Sequence, residues 1–476
     1  MRDLVPPTIV FQGATWTADA LTALAAGWHE RARQHAPAAI MSAMVMANHP
    51  ESAALFFALS ALPAPLILLS PEPRAWRTAP PLPVGTPLFL PPSLRRLASA
   101  AGDSGLEAVL LPDRDELSAT RRPPFLTAPG VVSFTSGSTG LPKPVFRSTA
   151  SLLAETTAIV KALGLSRGDG IAGSLPLANL HGLPNALVLA ALLESELGLQ
   201  ERFEHRSLLA LFASGRYRYW GGTPLMADIL SRCPLPGEPP PAPRMIKVGG
   251  SPMTVAVYRA FLARFGVPAR PSYGSTEHGI ITADTSPTSE VRPQSVGQPV
   301  PGAEVRIGAD PQQPFPPGQI GRVWLKSSWC MDGYGFPPSL EPSPDRDGWS
   351  PTGDTGFLDE AGFLTLAGRI DDCFKTVGGY LVNPVGISVV LRGFPGITDA
   401  AVVPLAVAGE TVIGALVEGD SLDLFGLRRH ASDRLPAWSQ PQVIGVTPQL
   451  PRSERDKIDR EACVAMLSRL IERTKR

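Results

Sequence analysis

The alternation of short apolar strands with helical stretches constrains this chain more than any other feature. Ile40 to Ala47 reads as a strand and His49-Pro50-Glu51-Ser52 as a cap. Ala53 to Leu62 follows as an apolar helix stopped by Pro63, and Leu66 to Ser70 as a second strand. Strand, helix and strand at this spacing predict a parallel α/β unit with helices covering the sheet. The pattern returns at Thr86 to Leu90, Ser93 to Ala101 and Ala108 to Leu111. It continues with helices over Ser151 to Leu163, Leu183 to Leu193 and Thr254 to Phe265. Further strands are predicted at Gly170 to Leu175, Tyr217 to Trp220, Met245 to Val248 and Pro271 to Tyr273. Pro234 to Pro243 is a surface loop, because the alternation runs on past it. Beyond Ile281 closely spaced turns and short alternating runs predict a small β subdomain to about Gly368. Ile370 to Arg476 is long enough for a separate α+β unit.

With 476 residues and 44% hydrophobic content the chain can bury large cores, in two to four folding units. Its 43 basic and 43 acidic residues leave no net field to attract nucleic acid or an anionic membrane. Cys233, Cys330, Cys373 and Cys463 are scattered, so neither a zinc site nor a disulfide framework is indicated. The opening residues lack the apolar helix of a signal peptide. The longest apolar run, Ala53 to Leu69, is interrupted by Pro63 and Pro65. The expectation is a cytoplasmic protein with no membrane insertion.

The first chemically loaded stretch is Val132 to Arg147, VSFTSGSTGLPKPVFR. Gly137 and Gly140 permit backbone angles that side chains forbid, so successive amides can point at phosphate oxygens. Thr135, Ser136, Ser138 and Thr139 add hydroxyl donors, and Lys143 adds a positive charge. The stretch lacks the Gly-Lys-Ser/Thr triplet of the kinase and GTPase P-loop.

Four further places gain meaning from their order. In Tyr273-Gly274-Ser275-Thr276-Glu277, Glu277 can hold Mg²⁺ beside phosphates, although alone it reads as a surface turn glutamate. Asp354, in Thr352-Gly353-Asp354, can accept hydrogen bonds from two sugar hydroxyls, or be merely a turn aspartate. Gly368-Arg369-Ile370-Asp371-Asp372 precedes Gly378-Gly379, and a salt-bridged hinge without chemistry is its plain alternative. Lys457 ends Pro451-Arg452-Ser453-Glu454-Arg455-Asp456-Lys457, where most lysines are simply solvated.

Together these segments resemble the adenylate-forming superfamily of acyl-CoA synthetases, peptide-synthetase adenylation domains and luciferases. TSGSTGLPK, YGSTE, TGD, GRIDD and the lysine of PRSERDK match its signatures over nearly the whole chain. The resemblance implies an α/β fold. A large N-terminal adenylation domain, residues 1–370, would hold two α/β lobes to about 280 and a β subdomain over about 281–368. A mobile α+β C-terminal domain would follow at 371–476. It implies ATP and Mg²⁺ as cofactors. Thr135, Ser136, Gly137, Ser138, Thr139, Gly140 and Lys143 would hold the β- and γ-phosphates. Gly274, Ser275, Asp354 and Arg369 would bind the nucleotide, and Glu277 the metal. Lys457, with His181 and Thr276, forms the implied catalytic set. Asp371 matches the hinge, and Gly378 and Gly379 the thiol tunnel.

Three departures stand out. The region before Thr135 is short for the family, Gly386 stands where relatives commonly have glutamate, and Asp456 where they have glycine. The implied acid pocket is bounded by Leu177 to Pro184, Gly221 to Met226 and Val248 to Met253, with Asn179, His181, Gly249 and Ser251 lining it. Asn185 is a further candidate to meet a hydroxyl. No aspartate stands ready for a substrate ammonium, which argues against an α-amino acid and for a small aromatic or short acyl acid. Coenzyme A and an acyl carrier protein present the same phosphopantetheine thiol. Arg428, Arg429, Arg434, Arg452 and Arg455 suit either, and the short N-terminal lobe favours the carrier protein by a small margin. An ATPase of another fold would need a Walker lysine or kinase loop, and neither is present. A non-catalytic nucleotide sensor would be expected to have lost Lys457 or Glu277.

Overall fold

The computed structural model describes residues 4–35, 40–78, 80–117, 121–135, 142–235, 237–342, 348–370, 374–376, 381–382, 384–407, 409–420, 422–452 and 458–474. They form two compact units, the first of residues 1–305 and 325–350, the second of 306–324 and 351–476.

The first unit contains two large sheets. In the eight-stranded sheet, Ala108–Leu110, Leu88–Leu90, Ser42–Val45, Leu66–Leu69 and Gly130–Phe134 run parallel. Pro144–Ser148 then turns back antiparallel, with Gly333–Phe336 and Ser339–Glu341 beyond it. The nine-stranded sheet has a parallel centre of Glu196–Leu199, Gly170–Gly173, Tyr217–Gly222, Met245–Val248 and Ala269–Ser275. Strands buried on both faces read as continuous apolar runs, as LILL from Leu66 does with every side chain buried.

Local sequence places the elements as expected. The His49 ring accepts a hydrogen bond from the Glu51 N–H, with Pro50 at the first turn of the helix Pro50–Leu59. The Thr254 side chain caps Val255–Phe265, which ends at Gly266 in the left-handed region. Leu183 to Leu193, expected as one helix, is broken: Gly182–Asn185 and Leu187–Leu192 are separated by Ala186 at φ −129°. Pro184, which carries no N–H, stands two residues before the break, and the Asn185 amide donates to the His181 carbonyl at 2.9 Å.

The first unit packs around a continuous core that includes Trp28, Phe56, Leu187 and Tyr219, with Trp220, Phe212 and Phe261 in a separate cluster on the opposite face of the nine-stranded sheet. The second unit has its own cores. Its sheet of Asp399–Val407, Glu410–Glu418 and Val443–Thr447 carries one apolar cluster with Leu391 and Leu427 and another with Leu450 and Leu467. A four-stranded sheet also contains Ser350–Leu358 paired with Leu364–Arg369.

Candidate active site

The ends of the glycine-rich stretch are clasped. Phe134 and Pro144 are partners in the antiparallel pair. Beyond them the Thr135 N–H donates to the Lys143 carbonyl at 2.9 Å, and the Lys143 N–H to the Thr135 hydroxyl at 3.2 Å. Ser136, Gly137, Ser138, Thr139 and Gly140 lie outside the described residues. The exposed Lys143 ammonium sits 5.5 Å from the centre of the Tyr334 ring. The Tyr334 hydroxyl in turn donates to Glu277 Oε1 at 3.3 Å. A residue with no motif of its own therefore brings together the lysine and the carboxylate that the sequence marks independently.

Glu277 rides on the turn between Ala269–Ser275 and Gly279–Ala283. Gly279 holds φ +62°, and a Cβ there would lie 2.7 Å from the Glu155 carboxyl carbon. That carboxylate accepts the Ile280 N–H at 2.8 Å and pairs at 2.7 Å with Arg147, both side chains being almost wholly buried. Arg147 also reaches the Ser151 hydroxyl, which donates to the Trp329 carbonyl, while the Trp329 indole donates to the Ile280 carbonyl. On the other side of the turn, buried His278 exchanges hydrogen bonds with the hydroxyls of Ser275 at 2.9 Å and Ser350 at 3.0 Å. Burial pushes its imidazole down to about 4, against the pull of Glu277 and with help from Arg147. Thr276 is half-buried in the same turn.

One carboxylate flanked by hydroxyls and a lysine suits Mg²⁺ shared with phosphate oxygens and water better than a closed protein cage. No group of three His, Cys, Asp or Glu side chains poised for a metal occurs among the described residues.

The proposed acid segment is ordered from behind. Buried Asn48 donates to the carbonyls of Leu175 and Gln200 at 3.0 Å and accepts the Leu177 N–H at 2.8 Å. His181 then stands against the Val248–Ser251 turn: a Cβ on Gly250, which has φ +88°, would lie 3.7 Å from its Nδ1. Burial, reinforced by the Lys247 charge, pushes His181 down to about 3, so it is neutral at physiological pH. Asn185 is committed inside the protein, accepting from the Tyr219 hydroxyl at 3.0 Å. Asn179 and Ser251 are exposed, whereas Gly249 is buried and close to the Ser272 hydroxyl.

In the second unit Asp354 and Arg369 are direct partners on adjacent strands, with an Nη1 to Oδ1 distance of 3.8 Å. Gly353 at φ +77° and the Thr352 hydroxyl, which accepts the Asp354 N–H at 3.2 Å, set the aspartate's position. Asp371, Gly378, Gly379 and Lys457 lie outside the described residues. Sequence reading overlooked Tyr334, His278, Glu155 and Asn48. Only His278 carried a usable signal, standing directly after the YGSTE motif.

The family model for AMP-binding enzymes matches residues 42–335, a span that contains both the clasped segment and the Glu277 turn. The chain belongs to the AMP-binding enzyme family. Among relatives in that family, the sulfoacetate–CoA ligase of Cupriavidus necator is 27% identical over 357 residues, 74% of this chain and 69% of that protein. The oxalate–CoA ligase of Saccharomyces cerevisiae is 26% identical over 337 residues, 69% of this chain and 62% of that protein. The fold matches that of o-succinylbenzoate CoA synthetase from Bacillus subtilis, solved with ATP and magnesium ion. The TM-score is 0.75 at 22% identity, covering 96% of each chain. As in other folds of this family, the α/β framework is large at the N-terminal side and small at the C-terminal side.

Proposed function

We propose that the chain is an AMP-forming acid–thiol ligase. The acid's carboxylate oxygen attacks the α-phosphorus of ATP and expels pyrophosphate; a thiol then attacks the acyl carbon and expels AMP. The observation that carries this reading is the junction of Lys143 and Glu277 through Tyr334, beside a clasped glycine-rich segment. Two anions must meet in the first step, and fixed positive charge lowers the cost of that approach.

In this reading Lys143 and the residues from Thr135 to Gly140 hold the leaving phosphates. Glu277 holds Mg²⁺, which neutralises phosphate charge when bound. Thr276 lies beside the reacting groups, Gly274 and Ser275 form the nucleotide-facing edge, and Asp354 with Arg369 takes the ribose hydroxyls. His181 borders the acid without exchanging protons near neutral pH. Lys457 bridges the acid and the α-phosphate in the first step. Domains 1–370 and 371–476 then exchange orientation about Asp371, bringing Gly378 and Gly379 to the thiol.

Coenzyme A is the acceptor favoured by the names of the relatives. A carrier protein is the second reading, supported by the helix Leu424–Ser432, which exposes Phe425 and Leu424 beside Arg428 and Arg429. A basic, partly apolar face of this kind complements an acidic partner helix.

Pyrophosphate release across a panel of acids, repeated with coenzyme A and with a pantetheinylated carrier protein, tests both levels. Formation of ADP in place of AMP would overturn the ligase reading. Lys457→Ala is expected to retain ATP binding while losing all but about a thousandth of acid-dependent ATP–pyrophosphate exchange, the scale of one lost electrostatic stabiliser. Near-normal exchange in that variant would remove Lys457 from the mechanism.

A further inference from the structure

A lysine inside a sheet buried on both faces is out of place unless something negative meets it. Lys247 is the third residue of Met245–Val248, with a parallel strand on each side. Its neighbours Ile246 and Val248 join the core of Trp220, Phe212 and Phe261. By strand alternation Lys247 therefore projects to the opposite face, the side of the Thr149–Leu163 helix and of His181. Only 3% of its surface is exposed.

Among the described residues nothing pairs with its ammonium, by hydrogen bond or ion pair. Glu155 is the nearest source of compensating charge, but its oxygens are occupied by Arg147 and the Ile280 N–H. Arg147 and Lys247 thus stand against one buried carboxylate, with His181 neutral, and the region carries a surplus positive charge. Directly across the sheet from Lys247, in register, is Gly221, and beyond it Gly173, so on that side no side chain of a register partner lies beside the lysine; on the other side its register partner is the buried Arg270. The Tyr219 hydroxyl approaches the position a Gly221 Cβ would take, at 2.8 Å. Ligands of open α/β sheets bind outside the carboxyl ends of the strands. Lys247 lies two residues inward from Gly249, about 7 Å along the strand, behind the segment assigned above to the acid.

We propose that Lys247 reads the far end of the substrate, and that the substrate is a carboxylic acid bearing a second anionic group, a carboxylate or a sulfonate. This rests on the ligase reading and narrows it. The sulfoacetate and oxalate ligases among the relatives are named for acids of this kind, which supports the assignment.

The test is pyrophosphate release by the full-length protein with matched acids. Malonate, succinate, sulfoacetate and 2-succinylbenzoate are each compared with a singly charged counterpart whose far group is neutral, such as the distal monomethyl ester. The wild type is expected to favour the doubly charged member of the productive pair. In Lys247→Met its kcat/KM should fall about a hundredfold, the size of a lost desolvated charge contact, while KM for ATP is retained and the half-ester loses far less. Lys247→Arg should recover part of the loss. A sulfonate preferred over the carboxylates, or the reverse, identifies which anion is read. A wild-type enzyme that favours the singly charged half-ester overturns the proposal without any variant, and so does Lys247→Met with its preference intact. Release with no acid at all would instead overturn the ligase reading beneath it.

Discussion

The Glu277 turn and the Lys247 strand sit in the same unit and are organised in opposite ways. Around Glu277 the buried side chains are met from within the protein: Glu155 has Arg147 and an N–H, and His278 has two hydroxyls. Around Lys247 the sheet leaves a buried ammonium unmet and a row of glycines beside it. The difference matches the two substrates. A nucleotide triphosphate is the same in every cycle of every relative, so its receptor can be rigid and self-satisfied. The acid is what distinguishes one ligase from another, and on the reading proposed above its receptor holds an unmet charge whose complement would arrive with the ligand.

The contrast breaks most visibly in stability. Glu155→Ala strands a buried guanidinium and releases the Ile280 N–H, so urea unfolding should show a loss of about 3–5 kcal/mol. Lys247→Met removes a desolvated charge that has no partner, so the same measurement should show no loss and a gain of about 1–3 kcal/mol. If both variants lose stability alike, Lys247 belongs to the internal network and the comparison fails.

A smaller effect appears with pH. Burial pushes Lys247 down to about 8, Glu155 opposing the shift. Its charge is present below that value and lost above it. For an acid with a second anionic group, kcat/KM should therefore fall as pH rises through about 8, towards a tenfold loss per unit. The singly charged half-ester should show no such fall. The titratable and charged groups around it are Glu155, Arg147, His181, Tyr219 and, one strand over, Arg270. Burial holds His181 near 3 and lifts Tyr219 well above its ordinary value, so neither changes charge in this window. Parallel profiles for the two acids would separate the limb from Lys247.

The smallest effect belongs to Tyr334→Phe. It removes one hydrogen bond to Glu277, worth about 0.5–1.5 kcal/mol, and should raise KM for Mg–ATP a few-fold while acid preference stays fixed. A change in acid preference would mean that the nucleotide and acid sides are not independent.

Much of this was legible in the chain itself. Apolar runs bounded by proline and glycine located the strands near Leu66, Met245 and Leu88, because parallel strands buried on both faces cannot hide their composition. The motifs marked Lys143, Glu277, Asp354 and Arg369; the structure joins the first two through Tyr334 and pairs the last two directly. What stayed hidden depended on distant partners. Nothing around Glu155 announces that Arg147 and the Ile280 N–H will meet its carboxylate, and Tyr334 lies 57 residues from the glutamate it touches. The break at Ala186 was readable in part, since Pro184 stands two residues before it, but the apolar run Leu187 to Leu193 masked the signal. Lys247 left a faint trace, a single charge within MIKV, and its meaning required knowing that strands lie on both sides.

The clasp between Thr135 and Lys143 also limits how the chain can vary. It fixes the spacing between two antiparallel strands whose side chains alternate, so a single insertion or deletion in the intervening stretch must either bulge outward or shift every later residue to the other face. After such a slip Phe146 would meet Glu155 in the place of Arg147, and the guanidinium would be driven into the apolar cluster of Ile67, Val132 and Leu88. The length of the glycine-rich stretch is thereby inherited from the core behind it. Homologous chains should therefore keep its number of residues even where single letters differ.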